Sequence, residues 1–352
     1  MTETLTIAVT GAGGFIGRHT VAAARNRGHR VRALVRRSAS ADPSWAEDPM
    51  VDVITLDLTD DGAGEAAAVV CDDADAVIHA AAAMRGDDAA QLRQTVEPTR
   101  VMLDAVAAAS KRPRFILVSS ISVYGSDAAS EGSLLDETTA REMTPATRDA
   151  YCRAKLAQED LVLDGADMHG LDVRILRPGA VFGPNRLWNG HLGHALGPIL
   201  VRLESRGEVP VSFIENCAEA LVLAAERPLT RDDRSAAQAG GRVEIINVID
   251  DDRPDRRQYI AALRRTGWPR IVLPGSWRVL CAIATVLAKI TGQGRLPGLL
   301  RPAVLRARMM PLKYSNERLK QRLGWHQTCS FADAMRSSSA PSAASLEVSD
   351  EH

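Results

Sequence analysis

The stretch Thr10-Gly11-Ala12-Gly13-Gly14-Phe15-Ile16-Gly17 decides the fold. Before it, Leu5, Ile7 and Val9 fit a short buried strand; after it, Ile16, Val21 and Ala22 to Ala24 fit a helix reaching about Arg27. A glycine-rich turn between a strand and a helix is the setting in which a backbone binds a dinucleotide. Gly11 permits the tight turn, Gly14 lets the backbone approach a pyrophosphate, and Gly17 lets the helix lie close on the strand. The helix start offers unpaired N–H groups and a partial positive charge to the phosphates. A plain glycine turn is the simpler alternative, and position between strand and helix weighs against it.

Outward from this turn the pattern repeats. Val31–Val35, Val51–Leu56, Ala76–His79, Arg114–Ser119 and Leu171–Leu176 read as further strands, with a helix expected from about Ala89 to Ala109. Strand and helix alternating in this way predict an α/β chain: a Rossmann-type, doubly wound parallel sheet, with ligands gathered at the carboxyl ends of the strands. The second strand ends in Arg36-Arg37, where a free ribose 2′-hydroxyl usually meets an Asp or Glu. The planar fork of arginine suits a 2′-phosphate, so NADP is favoured over NAD. The small residues Ala80 to Ala83 would let backbone lie against a flat ring.

Tyr151 and Lys155 fall four apart in a helical stretch reaching about Leu163, and so share one helix face. A solvated Tyr–Lys pair is the alternative. Tyr124, beside Gly125, reads as structural. Regular alternation stops after Arg177-Pro178-Gly179-Ala180. Residues 1–177 are expected to form the dinucleotide-binding domain, with later returns near 216–228 and 243–250. Residues 178–215 and 251–335 would form a smaller C-terminal substrate lobe, and 336–352, small, polar and acidic, a disordered tail.

The chain has 352 residues and a net charge of −1, unevenly spread: from Arg253 to Trp325 sixteen Lys or Arg stand against Asp255 and Glu317. A basic segment favours anionic partners, or is simply a solvated face. Within it, Val279 to Ala288 is apolar but too short to span a bilayer, which needs about 20 residues. With Trp277 at its edge, 277–290 suits either an interfacial helix giving peripheral membrane contact or a helix packed in the second lobe. The five cysteines are scattered without metal spacing, and no secretory signal is expected at the start, which together point to the cytoplasm.

Together, these stretches with Asp57-Leu58, His79-Ala80-Ala81-Ala82, Val118-Ser119-Ser120, Tyr151-x-x-x-Lys155 and Arg177-Pro178-Gly179 resemble the extended short-chain dehydrogenase/reductase family, which includes NAD(P)-dependent sugar epimerases and dehydratases. The resemblance covers about residues 5 to 335. It implies Tyr151 as general acid/base, its phenolate favoured by Lys155 and by the positive nicotinamide. Lys155 would also hold the nicotinamide ribose, and Ser120 would bond the substrate oxygen. Gly11, Gly14, Phe15, Ile16, Gly17, Arg36, Arg37, Ala80, Ala81 and Pro178 would line the cofactor, and Asp57 and Leu58 would contact the adenine. Family dehydratases follow the Ser or Thr with Asp-Glu; here Ile121-Ser122 follow, against that chemistry. Nucleotide-sugar enzymes often carry Asn where Ala180 stands. The implied substrate is a small molecule rather than nucleic acid, with a nucleotide sugar first. A hydrophobic hydroxy or keto compound, as in the 3β-hydroxysteroid dehydrogenase-like branch, comes next, and a non-catalytic NADP-binding sensor last. The family commonly forms dimers, so a homodimer is expected.

Overall fold

The computed structural model describes residues 3–127, 129–204, 206–229, 242–291, 296 and 298–339. Seven parallel strands form the central sheet: β1 (Thr6–Thr10), β2 (Arg30–Val35), β3 (Val51–Thr55), β4 (Ala76–His79), β5 (Arg114–Val118), β6 (Asp172–Pro178) and β7 (Arg242–Val248). Their order is β7-β6-β5-β4-β1-β2-β3. The order reverses at β1, which lies between β2 and β4 with Thr10 level with Leu34 and His79. The crevice for a ligand opens at that reversal.

Alternate residues of each strand feed two cores. Ile7 and Val9 point to the layer holding helix α1 (Phe15–Asn26) and the helix Ile214–Glu226; Ala8 points to the layer of Ala63–Asp72 and Glu97–Ala108. Both faces are covered, which is why the strands read as nearly continuous apolar runs.

The helix expected over 89–109 is broken. It comprises Asp88–Gln91, a π-helical turn Leu92–Val96, and Glu97–Ala108. Pro98 is the cause: it lacks an N–H and tolerates only the first turn of a helix, so the regular helix restarts there. Within the π turn, Thr95 O accepts from Thr99 Oγ1 at 2.8 Å and Gln158 Nε2 at 3.3 Å.

The second lobe is built from small sheets. Ala180–Phe182 pairs with Val211–Phe213, while Ile199–Arg202 lies between His194–Leu196 and Ile271–Pro274. Asn216 ties the C-terminal segment down: its Oδ1 accepts from Thr328 Oγ1 at 3.0 Å and its carbonyl from Trp325 Nε1 at 3.1 Å. Residues 336–339, expected in the tail, instead complete the helix Phe331–Ser339, which buries Ala334 and Met335. The rest of that expectation, 340–352, and the polar loop read over 231–241 lie outside the described residues. The apolar stretch near 280 is the helix Trp277–Thr291, and among the described residues no helix is long and apolar enough to cross a membrane.

Candidate active site

The glycine turn is closely packed. Gly11 has a φ of +64°, and a Cβ there would lie 2.9 Å from Ala81 N. Only glycine meets both demands. A Cβ at Gly17 would run into Gly11 O, and one at Gly13 into Ser40 O, in the turn following β2. Gly14 is exposed and starts α1 without a side-chain cap, leaving the first N–H groups free to face an anion. Cations border this point. Arg18 Nη2 donates to Gly13 O at 2.9 Å, and Arg186 lies 5.1 Å from the centre of the Phe15 ring. Arg36 and Arg37 are exposed at the end of β2 and make no side-chain bond or ion pair among the described residues. These features fit a dinucleotide whose phosphates lie on the start of α1. Ile16 packs into the core, Asp57 accepts from Thr59 N at 3.0 Å, and the Leu58 side chain is buried on the far face. Leu58 can therefore offer a ligand only its backbone. Ala80 and Ala81 are half-buried against Gly11, and Pro178 is buried at the end of β6.

Tyr151 and Lys155 lie on the helix Ala150–His169, which Asp149 caps by accepting from Cys152 N at 2.9 Å. Two residues hold the Ser120 loop against this helix. Arg148 donates to Tyr124 O at 3.0 Å and to Ser122 O at 2.9 Å, and Cys152 Sγ to Ser122 O at 3.1 Å. Arg148 is itself fixed by Glu142 at 3.0 Å. The Ser120 loop is thus held against the helix that carries Tyr151. Burial pushes the Tyr151 phenol up to about 12, with the nearby Ser120 hydroxyl pulling the other way.

Without the positive nicotinamide, which the expected drop towards neutrality counts on, burial outweighs every pull downward on Tyr151. The Lys155 ammonium stands 5.8 Å from the Tyr151 ring centre and donates instead to Val118 O at 2.8 Å and Gln158 Oε1 at 2.9 Å. Burial also lowers Lys155 itself, to about 8.

Lys155 ends a buried polar chain that sequence reading missed. Gln158 Nε2 donates to Thr99 Oγ1 at 2.6 Å, which lies 3.1 Å from His79 Nε2; His79 Nδ1 lies 2.9 Å from Thr10 Oγ1. The Thr99 hydroxyl proton goes to Thr95 O, so Thr99 can only accept from His79. His79 thus carries its proton on Nε2 and accepts from Thr10. Burial, helped by the Lys155 charge, keeps it neutral by lowering it to about 3. The chain links the glycine turn to Lys155. The available signal was spacing: Gln158 is three residues past Lys155, on the same helix face.

Arg177 is structural. It forms a bidentate pair with Glu159, at 2.9 and 2.6 Å, and lies 4.7 Å above the Tyr124 ring, while Tyr124 donates to Asn247 Oδ1 at 2.7 Å. Asn247 also donates its N–H to Glu137, whose carboxyl burial raises.

A parallel sheet with a glycine turn at its reversal and a Ser–Tyr–Lys group on the same edge defines a nicotinamide-dependent α/β enzyme. Residues 7–236 match the NAD dependent epimerase/dehydratase family, and the chain belongs to that family, of the extended short-chain type. Among its relatives, cinnamoyl-CoA reductase 2 of Arabidopsis thaliana is 30% identical over 51% of this chain and 55% of its own length. Ceramide reductase of Caulobacter vibrioides is 33% identical over 63% and 62%. The chain thus spans less than two thirds of these two. The 3β-hydroxysteroid dehydrogenase/Δ5→4-isomerase of Mycobacterium tuberculosis is 27% identical over 78% and 73%. UDP-glucuronic acid 4-epimerase of Bacillus cereus, solved with UDP-glucuronic acid and NAD, shares the fold with a TM-score of 0.66 at 18% identity, covering 95% of this chain and 98% of that one.

Proposed function

We propose that the chain oxidises a secondary alcohol or reduces the corresponding ketone on a hydrophobic compound, with NADP preferred over NAD. The observation that carries this is the placing of Tyr151 and Lys155 on one face of their helix, the Lys155 ammonium 5.8 Å from the Tyr151 ring centre, with the Ser120 loop held against that helix by Arg148 and Cys152. Bound nicotinamide would supply the donor or acceptor of the hydride. In oxidation the Tyr151 phenolate takes the hydroxyl proton while Ser120 holds the substrate oxygen; in reduction the phenol gives the proton back. Keeping all three residues in this geometry speaks against the sensor reading.

The hydrophobic substrate moves ahead of the nucleotide sugar expected first. Its support is that the curated relatives, at 26% to 33% identity, carry names of reductases and a steroid dehydrogenase. The likeness to a sugar-nucleotide epimerase, at 18% identity, carries the fold alone. One observation keeps the sugar reading: Arg308 pairs at 3.1 Å with Asp149, which caps the Tyr151 helix, so a cation for a diphosphate stands beside that helix start. NADP preference is supported by Arg36 and Arg37, which are exposed at the end of β2 and make no side-chain bond or ion pair among the described residues. A homodimer is proposed from family habit, with light scattering as its check. A panel of hydrophobic ketones and alcohols beside UDP-sugars, followed by nicotinamide absorbance, tests the substrate. Turnover of UDP-sugars alone overturns the hydrophobic reading.

A further inference from the structure

The helix Trp277–Thr291 is built the wrong way round for a water-facing helix. Past Trp277 and Leu280 its inward side is small: Cys281, Ala284 and Ala288 are 8%, 1% and 6% exposed. It turns its larger aliphatics outward: Val279, Ile283, Val286 and Ile290 are 60%, 50%, 58% and 75% exposed. These four recur at helical spacing, so they form one stripe, with Leu287 widening it. The strand leading into the helix likewise leaves Ile271 and Leu273 about half exposed. The inward side is firmly seated. Trp277 Nε1 donates to Glu204 at 3.2 Å, and Cys281 and Ala284 pack in the lobe core with Leu305 and Met309. The outward stripe is thus a fixed surface of the folded lobe. A contiguous apolar face of this kind marks a contact site.

Charge selects the occupant. Arg278 and Lys289 stand one residue before Val279 and Ile290, which places both along one margin of the stripe, and the helix carries no acid. Arg278 pairs with Glu131, whereas Lys289 is exposed with no ion pair among the described residues. The surrounding segment is strongly cationic, with Arg264, Arg265 and Arg270 also exposed. A two-fold dimer through this face would set the same cations against each other. An anionic lipid surface satisfies both features, since it takes up aliphatic side chains and attracts Lys and Arg. At 15 residues the helix is about 22 Å long, shorter than the hydrocarbon core of about 30 Å, so it would lie in the surface.

We infer that the outward face of Trp277–Thr291 docks this lobe on an anionic membrane surface, with Val279, Ile283, Val286 and Ile290 in the acyl boundary and Lys289 at the headgroups. The contact would hold whatever the substrate, so its failure leaves the hydride-transfer reading intact. The test is flotation of the full chain with vesicles of phosphatidylcholine alone and of phosphatidylcholine mixed with phosphatidylglycerol. The wild-type chain should float with the mixed vesicles, less with the neutral ones, and less as salt rises. The Ile283→Ser/Val286→Ser pair should weaken this partition at least about tenfold while circular dichroism and the unfolding midpoint stay unchanged. Lys289→Glu, which leaves the apolar stripe whole, should weaken binding to the mixed vesicles alone. Absence of wild-type flotation, equal flotation with both vesicles, or full flotation of the double variant would each overturn the inference. So would light scattering that shows a dimer split by the double substitution, which would make this face a contact between copies.

Discussion

Gln158 Oε1 accepts a hydrogen bond from Lys155 Nζ at 2.9 Å, so the lysine expected to serve Tyr151 is also held by a neighbour on its own helix. Gln158→Leu removes that acceptor and leaves the buried ammonium with Val118 O alone. The cationic form of Lys155 loses support, and the phenolate of Tyr151 with it. The pH profile of alcohol oxidation should move to higher pH, with a stability loss of about 1–3 kcal/mol. A profile that does not move in Gln158→Leu would show that the contact only packs the helix.

Tyr151→Phe should lower turnover by about 10²–10⁴-fold in both directions, with folding unchanged. The direction of the pH dependence follows from Tyr151, whose phenol burial holds up near 12. Oxidation needs the phenolate and should rise with pH. Reduction needs the phenol and should fall at the alkaline end. Initial rates in each direction across pH provide the check.

Arg36→Asp should reverse cofactor preference. The wild-type chain should bind NADPH more tightly than NADH, and the loss of a charged contact of about 1.5–3 kcal/mol predicts about 10–100-fold weaker NADPH binding. Titration of cofactor fluorescence reads both constants. Equal wild-type affinities would remove any role for Arg36 and Arg37 in choosing between them.

Glu159→Gln should lower stability by about 3–5 kcal/mol, because it strands the buried Arg177 guanidinium and loses a strong acceptor for Ser119, now 2.6 Å away. Urea unfolding should show a lower midpoint at unchanged slope.

The doubly wound half was legible because its signals are local. Each strand carries its own apolar run, and the glycine turn announces the helix that follows. Tyr151 and Lys155 were legible through helix spacing. The break at Pro98 was visible in principle, since proline rarely sits inside a helix, but nothing local announces a π turn. The second lobe was hidden for a different reason: its short strands and the Asn216 clip depend on partners far along the chain, as Asn216 with Thr328 shows. Arg336 to Ser339 reads as a polar tail because four residues cannot reveal that Phe331, Ala334 and Met335 anchor the helix they complete. Periodicity identified an apolar helix near 280, but not that its bulkier side would face out.

A Cβ at Gly13 would strike Ser40 O, so the glycine turn and the turn that follows Arg37 leave no room for a side chain between them. The turn that follows Arg37 cannot be lengthened or reshaped without pressing on the loop that would cradle the pyrophosphate. If Arg36 and Arg37 choose the coenzyme as proposed, exchanging those two side chains at constant turn length should change the choice and leave the glycine turn intact. Grafting in a relative's whole turn would trade selectivity for a misshapen phosphate seat.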